Sequence, residues 1–141
     1  MLASAFARTE THKATAQLIH GLEWFTTNKD GKGCVMTTGP GSAPTPPDYV
    51  LMALGACAGN GIKFSLDKMG KKYTKLDVEV YGTWTDKPQR RLGDIKLVVS
   101  TDADIPKAKL DEIVHTVETK TCPVAGTLAT APHVHHEIIL G

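Results

Sequence analysis

Cysteine, aromatic residues and any excess of charge are all scarce in this chain. Three cysteines, an odd number with no export-type leader expected, fit a reducing, cytoplasmic setting rather than a disulfide scaffold. Sixteen basic residues against fifteen acidic ones leave a formal net charge of +1, with both signs interspersed. That balance offers no footprint for nucleic acid or an anionic membrane surface. No uninterrupted apolar run reaches the roughly 18 residues of a membrane span. Repeats and low-complexity tracts are missing too. The opening MLASAFARTE has small residues like those of a cleavage site, but its apolar stretch is short and no basic segment leads it. Residues 1–13 are therefore expected to be an N-terminal extension, frayed or locally packed. With 141 residues the chain suits one domain, 1–141, with a real core.

What is present centres on Pro44 to Gly70, PTPPDYVLMALGACAGNGIKFSLDKMG. Thr45 stands where an N-cap hydroxyl belongs, with Pro46 at the first helical position. Asp48 completes a capping-box spacing, and Gly70 supplies a stop signal. From Tyr49 to Ala58 the helix is apolar on every side, which predicts burial all round. Beyond it, Ile62, Leu66 and Met69 keep one apolar stripe, while Lys63, Asp67 and Lys68 face water. The run Gly55-Ala56-Cys57-Ala58-Gly59-Asn60-Gly61 is costly for a helix, since each interior glycine costs about 1 kcal/mol against alanine. Small side chains there admit a close neighbour or leave room for a ligand beside the Cys57 sulfur. A buried structural thiol is the plain alternative.

Strand patterns flank this helix. Ala14 to Ile19 alternates, His20-Gly21 marks a bend, and Leu22 to Phe25 continues. Asn28 to Gly33 is a hairpin turn leading to a third strand, Cys34 to Thr38. After the helix come a strand over Leu76 to Thr85, a polar turn over Asp86 to Asp94 and a partner strand over Ile95 to Ser100. Asp102 to Pro106 opens a second helix with Leu110, Ile113, Val114 and Val117 at helical spacing. A short helix follows Thr121-Cys122-Pro123, and a last strand is expected over Val134 to Leu140. The order βββαββααβ predicts an α+β fold. One small sheet covers only one side of so apolar a helix, so a dimer is expected to supply the rest.

Cys122, at the start of the short helix, is expected to have a depressed pKa from the unpaired N–H groups there. Together with Cys57 it could run a dithiol cycle, in which one sulfur becomes a sulfenic acid and the other condenses with it to a disulfide. Two unrelated cysteines are equally compatible with the spacing. His133 and His135 would share a strand face, but two histidines without further donors do not make a metal site. Cys34 reads as core or sheet surface. His20 or His115 could serve Cys57 as a hydrolase base, yet no Gly-x-Cys-x-Gly elbow surrounds it. Trp24 and Trp84 read as core or as an apolar pocket wall.

PTPPDYVLMALGAC and TCPVAGTL, in that order, resemble the OsmC/Ohr family of organic hydroperoxide reductases, whose consensus runs P-x-E-L-L-x-A-A-L-G-A-C and C-P-V-x-x-T-L. The similarity extends from about Ala14 to Leu140. It implies an OsmC-like fold in an intertwined homodimer with sites at the subunit interface. Cys57 would be the peroxide-attacking thiolate and Cys122 the resolving thiol. No metal, haem or nucleotide cofactor is implied; reduction would come from an external dithiol or lipoyl-type donor. The implied partners are a second copy and a small organic or fatty-acid hydroperoxide, with neither nucleic acid nor membrane. Peroxidase branches of the family pair an early-strand arginine with a glutamate at the start of the central helix. Here no arginine lies between Ala14 and Thr45, and Asp48 stands near the glutamate's place. Nine residues before Cys57, Asp48 lies on the opposite helix face and about 13 Å away. It would act across a dimer or through a basic residue, or serve only as a cap. The departures resemble the broader OsmC-like branch. An alternative from another class is a non-catalytic protein that binds a small apolar ligand in the same pocket; a redox sensor is a third.

Overall fold

The computed structural model describes residues 12–39 and 41–141. The expectation for the first segment, MLASAFARTE, therefore lies outside the described residues. The elements run β1 (Ala14–His20), β2 (Glu23–Asn28), β3 (Gly33–Thr37), α1 (Pro46–Lys68), β4 (Leu76–Thr85), β5 (Arg91–Thr101), α2 (Lys107–Thr116), a π-helical turn (Val117–Thr121) and α3 (Pro123–Ala129). This is an α+β fold with two antiparallel sheets, β1-β2-β3 and β4-β5. Two compact units divide at Tyr49/Val50, and α1 begins in the first and continues into the second.

In the first unit β1 pairs with β2 through Leu18↔Trp24 and Ala16↔Thr26, with a bulge between Leu18 and His20. β2 pairs with β3 through Trp24↔Met36 and Thr26↔Cys34. The turn between them is tied by Asn28, whose Oδ1 accepts from Asp30 N at 2.9 Å and Lys32 N at 3.0 Å. Tyr49 donates its hydroxyl to the Val35 carbonyl at 3.0 Å.

α1 starts as its sequence requires. Asp48 Oδ2 accepts from Thr45 N at 2.8 Å and Thr45 Oγ1 at 2.7 Å, and these bonds hold its carboxyl below the usual carboxylate range. It ends in a Schellman motif: Lys71 N reaches the Leu66 carbonyl at 3.0 Å and Gly70 N the Asp67 carbonyl at 2.9 Å, with Gly70 at φ +69°. The helix is long and apolar enough to cross a membrane by length and composition. Its place is that of a core helix, for Leu54, Ala58, Ile62 and Leu66 form a buried i, i+4 stripe in the second unit. Burial on every side, expected for Tyr49–Ala58, is not seen in the single chain. Val50 and Met52 are exposed, because β4 lies along one flank only, where Gly55 faces Val80 and Gly59 faces Val78.

β4 and β5 form a long hairpin whose register runs from Leu76↔Thr101 to Thr85↔Arg91. β5 thus begins four residues earlier than its pattern predicted. Asp102 locks the open end: its carboxylate accepts from Thr74 N at 2.9 Å, Lys75 N at 2.8 Å and the Thr74 hydroxyl. These bonds, the Thr74 hydroxyl first, lower its pKa to about 2. A depressed folded-state pKa contributes stability that is complete above the unfolded value of about 3.9 and is lost as pH falls through about 2. Urea denaturation at pH 5 and pH 2 should therefore show a smaller loss for Asp102→Asn than for the parent; equal losses would refute the assignment.

Two further expectations are corrected. Residues 102–106 are not helical, and α2 starts at Lys107 after Pro106. Val134 to Leu140 forms no strand, since no neighbouring edge pairs with it; Val134, Ile139 and Leu140 are all more than four-fifths exposed.

Candidate active site

The buried stripe of α1 sets the position of Cys57. It lies beside Ala58, at the margin between core and surface, and is half-buried against the cluster of Leu54, Ala58, Ile62, Leu66, Ile113, Val117 and Cys122. One turn on, Gly61 leaves α1 without a side chain where Val117 packs: a Cβ there would stand 3.0 and 3.1 Å from the two Val117 methyls. α2 buries Ile113 and then widens into the π turn, closed by Cys122 N donating to the Val117 carbonyl at 2.9 Å. That widening delivers Cys122 to the N-cap of α3, with Pro123 following at its first position.

The two sulfurs meet there. Cys122 donates its thiol proton to Cys57 Sγ at 2.9 Å and accepts from Ala125 N at 3.3 Å. All three cysteines are free thiols, so no disulfide is present. Forming one, at a bond length of about 2.05 Å, requires the sulfurs to close by less than about 1 Å. Cys122 does not have the depressed pKa expected from its helix-start position. Burial raises it first and the hydrogen bond to Cys57 second, and the Ala125 N–H only partly offsets them. The pair is thus asymmetric, with a buried protonated donor, Cys122, and a more accessible acceptor, Cys57.

Cys57 opens into a cleft of about 560 Å³ lined also by Asn60, Lys63, Phe64, Thr121 and Pro123. Lys63 is tied to Asp67, which also accepts from the Tyr73 hydroxyl at 2.7 Å. These bonds raise the pKa of Lys63 and lower that of Asp67. Among the described residues no charged side chain bonds to either sulfur.

Other residues singled out by sequence fall elsewhere. Asp48 sits in the capping box of α1. Cys34 lies on β3, where Thr26 donates to its carbonyl at 3.0 Å. His20 pairs with Glu23 at 3.2 Å. His133 and His135 stack with ring centroids 5.3 Å apart, and among the described residues no three His, Cys, Asp or Glu side chains converge as metal ligands. Trp84 lies under Arg90, 4.4 Å from guanidinium to ring centroid. The π turn was missed by sequence reasoning, because VETKT carries nothing that separates a wide helical turn from an ordinary one.

Comparison with known proteins gives a consistent picture. The family described as OsmC-like protein matches residues 39–137. No curated protein matches the sequence. Among solved structures, an OsmC-like protein from Mycoplasma pneumoniae superposes with a TM-score of 0.75 at 18% identity, covering 87% of this chain and 90% of that one. An OsmC-like protein of unknown function from Vibrio cholerae gives 0.69 at 12% identity, covering 84% and 93%. The organic hydroperoxide resistance protein OhrB of Bacillus subtilis gives 0.61 at 18% identity, covering 86% and 93%. At these identities the likeness is one of fold.

Proposed function

The chain belongs to the OsmC-like protein family, and from that premise we propose that it reduces organic hydroperoxides, fatty-acid hydroperoxides included, with Cys57 and Cys122. The observation that carries this reading is the thiol pair at 2.9 Å, with Cys122 donating to a Cys57 that opens on the cleft. The thiolate is the nucleophilic form of a cysteine, and Cys57 is the sulfur of the pair that opens on the cleft. The thiolate attacks the terminal oxygen of ROOH; an S–O bond forms, the O–O bond breaks, and ROH leaves after taking a proton. Cys57 is thereby oxidised by two electrons to the sulfenic acid. Cys122 then attacks Cys57 Sγ, the S–S bond forms and water departs. An external dithiol returns both sulfurs to thiols by two exchange steps. A reducing cytoplasm supplies such donors. Bonded in its capping box, Asp48 has a structural role in a single chain, and any catalytic role for it belongs to the assembled dimer.

A homodimer is part of the proposal. Leu18, Ile19 and Leu22 in the first unit, Met52 and Phe64 on α1, and Val134, Ile138, Ile139 and Leu140 near the C-terminus are all apolar and uncovered in one chain. A second copy is the partner that would cover them.

The test mixes reduced protein with one equivalent of cumene hydroperoxide and follows thiol count and intact mass, beside Cys57→Ser and Cys122→Ser. Loss of two thiols, a Cys57–Cys122 link in the digest and a trapped sulfenic acid only in Cys122→Ser are expected. Sedimentation equilibrium should give twice the 15.1 kDa chain mass. A Cys57 that stays reduced over minutes would sink the peroxidase reading and leave the cleft as a ligand-binding site.

A further inference from the structure

Asn60 is the residue in this cleft that its structural surroundings do not account for. Asparagine is unfavourable inside a helix, where its amide competes with the backbone, and here it stands between two glycines in the middle of α1. Its side chain is exposed to the cleft and, among the described residues, has no hydrogen-bond partner. Three other polar side chains of the lining are engaged: Ser65 donates to the Gly61 carbonyl at 3.1 Å, Thr116 to the Glu112 carbonyl at 3.0 Å, and Lys63 is held by Asp67, while Lys68, on the last turn of α1, is a lining cation without a bonded partner among the described residues. Thr121 is the other uncharged side chain of the lining without a partner among the described residues.

Helix geometry places that amide. Residues i and i+3 have Cβ atoms about 5–6 Å apart on one face. Helical side chains lean toward the N-terminus, so Asn60 lies over the turn that carries Cys57. Phe64, 71% exposed, follows one turn later on the same cleft wall. The order along the wall is thiol, amide, benzyl ring. A hydroperoxide attacked at its terminal oxygen by Cys57, with its organic part on Phe64, has its second oxygen between them, beside Asn60.

Resting on the hydroperoxide reading above, we propose that the Asn60 side-chain amide donates a hydrogen bond to the leaving alkoxide oxygen as Cys57 attacks. The sulfur–oxygen bond forms while the O–O bond breaks; negative charge builds on the leaving oxygen, and the amide N–H stabilises it until a proton from solvent gives the alcohol. The amide itself is neither oxidised nor deprotonated. Donors aimed at developing oxyanions act mainly on the transition state.

The test is stopped-flow oxidation of reduced Cys57 by cumene hydroperoxide in the parent, Asn60→Ala, Asn60→Asp and Thr121→Val. Asn60→Ala should slow sulfenic acid formation by about tenfold, the loss of one hydrogen bond to a developing charge in an open cleft. Iodoacetamide alkylation of Cys57, which has no leaving alkoxide, should stay unchanged; a merely structural role would slow both. Asn60→Asp should be slower still at neutral pH, and its rate relative to the parent should recover as pH falls and the carboxyl regains a proton to donate. An Asn60→Ala rate within about threefold of the parent, or a loss confined to Thr121→Val, overturns the inference. A parent that does not react with the peroxide overturns the hydroperoxide reading and this inference with it; a reactive parent with an unaffected Asn60→Ala removes only the latter.

Discussion

Leu66→Ala is expected to lower the unfolding free energy by about 2–5 kcal/mol. Leu66 is fully buried and lies on the last full turn of α1, where its carbonyl also closes the Schellman cap through Lys71 N. Removing its isobutyl group leaves a cavity that cannot collapse easily, because its neighbours are held on rigid elements: Ile62 one turn back on the same helix, and Ile113 and Val117 in the cluster across from it. Ile62→Val, which removes one methylene from an equally buried position, should cost only about 0.5–1.5 kcal/mol. Urea denaturation at one fixed protein concentration measures both, since assembly would make the midpoint depend on concentration. An unchanged slope with a lower midpoint is the signature of lost packing. A Leu66→Ala loss below about 1 kcal/mol would mean the end of α1 is not part of the cooperative core.

Gly61→Ala should separate the two chemical steps. Alanine raises helix propensity by about 1 kcal/mol, and on an open surface the substitution would stabilise the protein. Here the new methyl meets both branches of Val117 at 3.0 and 3.1 Å. Valine has little rotamer freedom in a helical segment, so relief requires moving the π turn rather than a side-chain end. Cys122 follows immediately and is bonded through its N–H to the Val117 carbonyl. A displacement approaching 1 Å at that point slows Cys57–Cys122 disulfide closure by about 10–100-fold. Sulfenic acid formation at Cys57, which needs only the cleft face of α1, should keep close to its parental rate. Stopped-flow kinetics followed by thiol-specific trapping resolves the two. Normal disulfide closure together with a gain of about 1 kcal/mol in stability would show that Val117 yields freely.

Much of this was legible from residues close together in the chain. The capping box at Thr45 and Asp48, the stop at Gly70 and the turn at Asn28 rest on bonds within five residues, and the strands show in their two-residue alternation, so local sequence carries their cause. Both thiols of the candidate site were readable as well, Cys57 from its small-residue run and Cys122 from its place before Pro123. The charge state of Cys122 was not. Helix-end N–H groups favour a thiolate, but desolvation depends on what packs around the sulfur, and that is a property of the whole cluster.

The Val134–Leu140 segment makes the same point from the other side. Its composition suits a strand, yet a strand exists only where another edge offers N–H and C=O groups, and the single chain presents none to it. Local sequence thus determined the α+β class and the ends of α1, because those follow from short-range bonding and hydrophobic period. Tertiary structure alone decided that Cys57 and Cys122, 65 residues apart, stand 2.9 Å from each other. It also decided that Cys122 is the proton donor of the pair and that Asn60 faces the cleft. These depend on Val117 packing into the gap left by Gly61, a contact between segments more than 50 residues apart that no local pattern encodes.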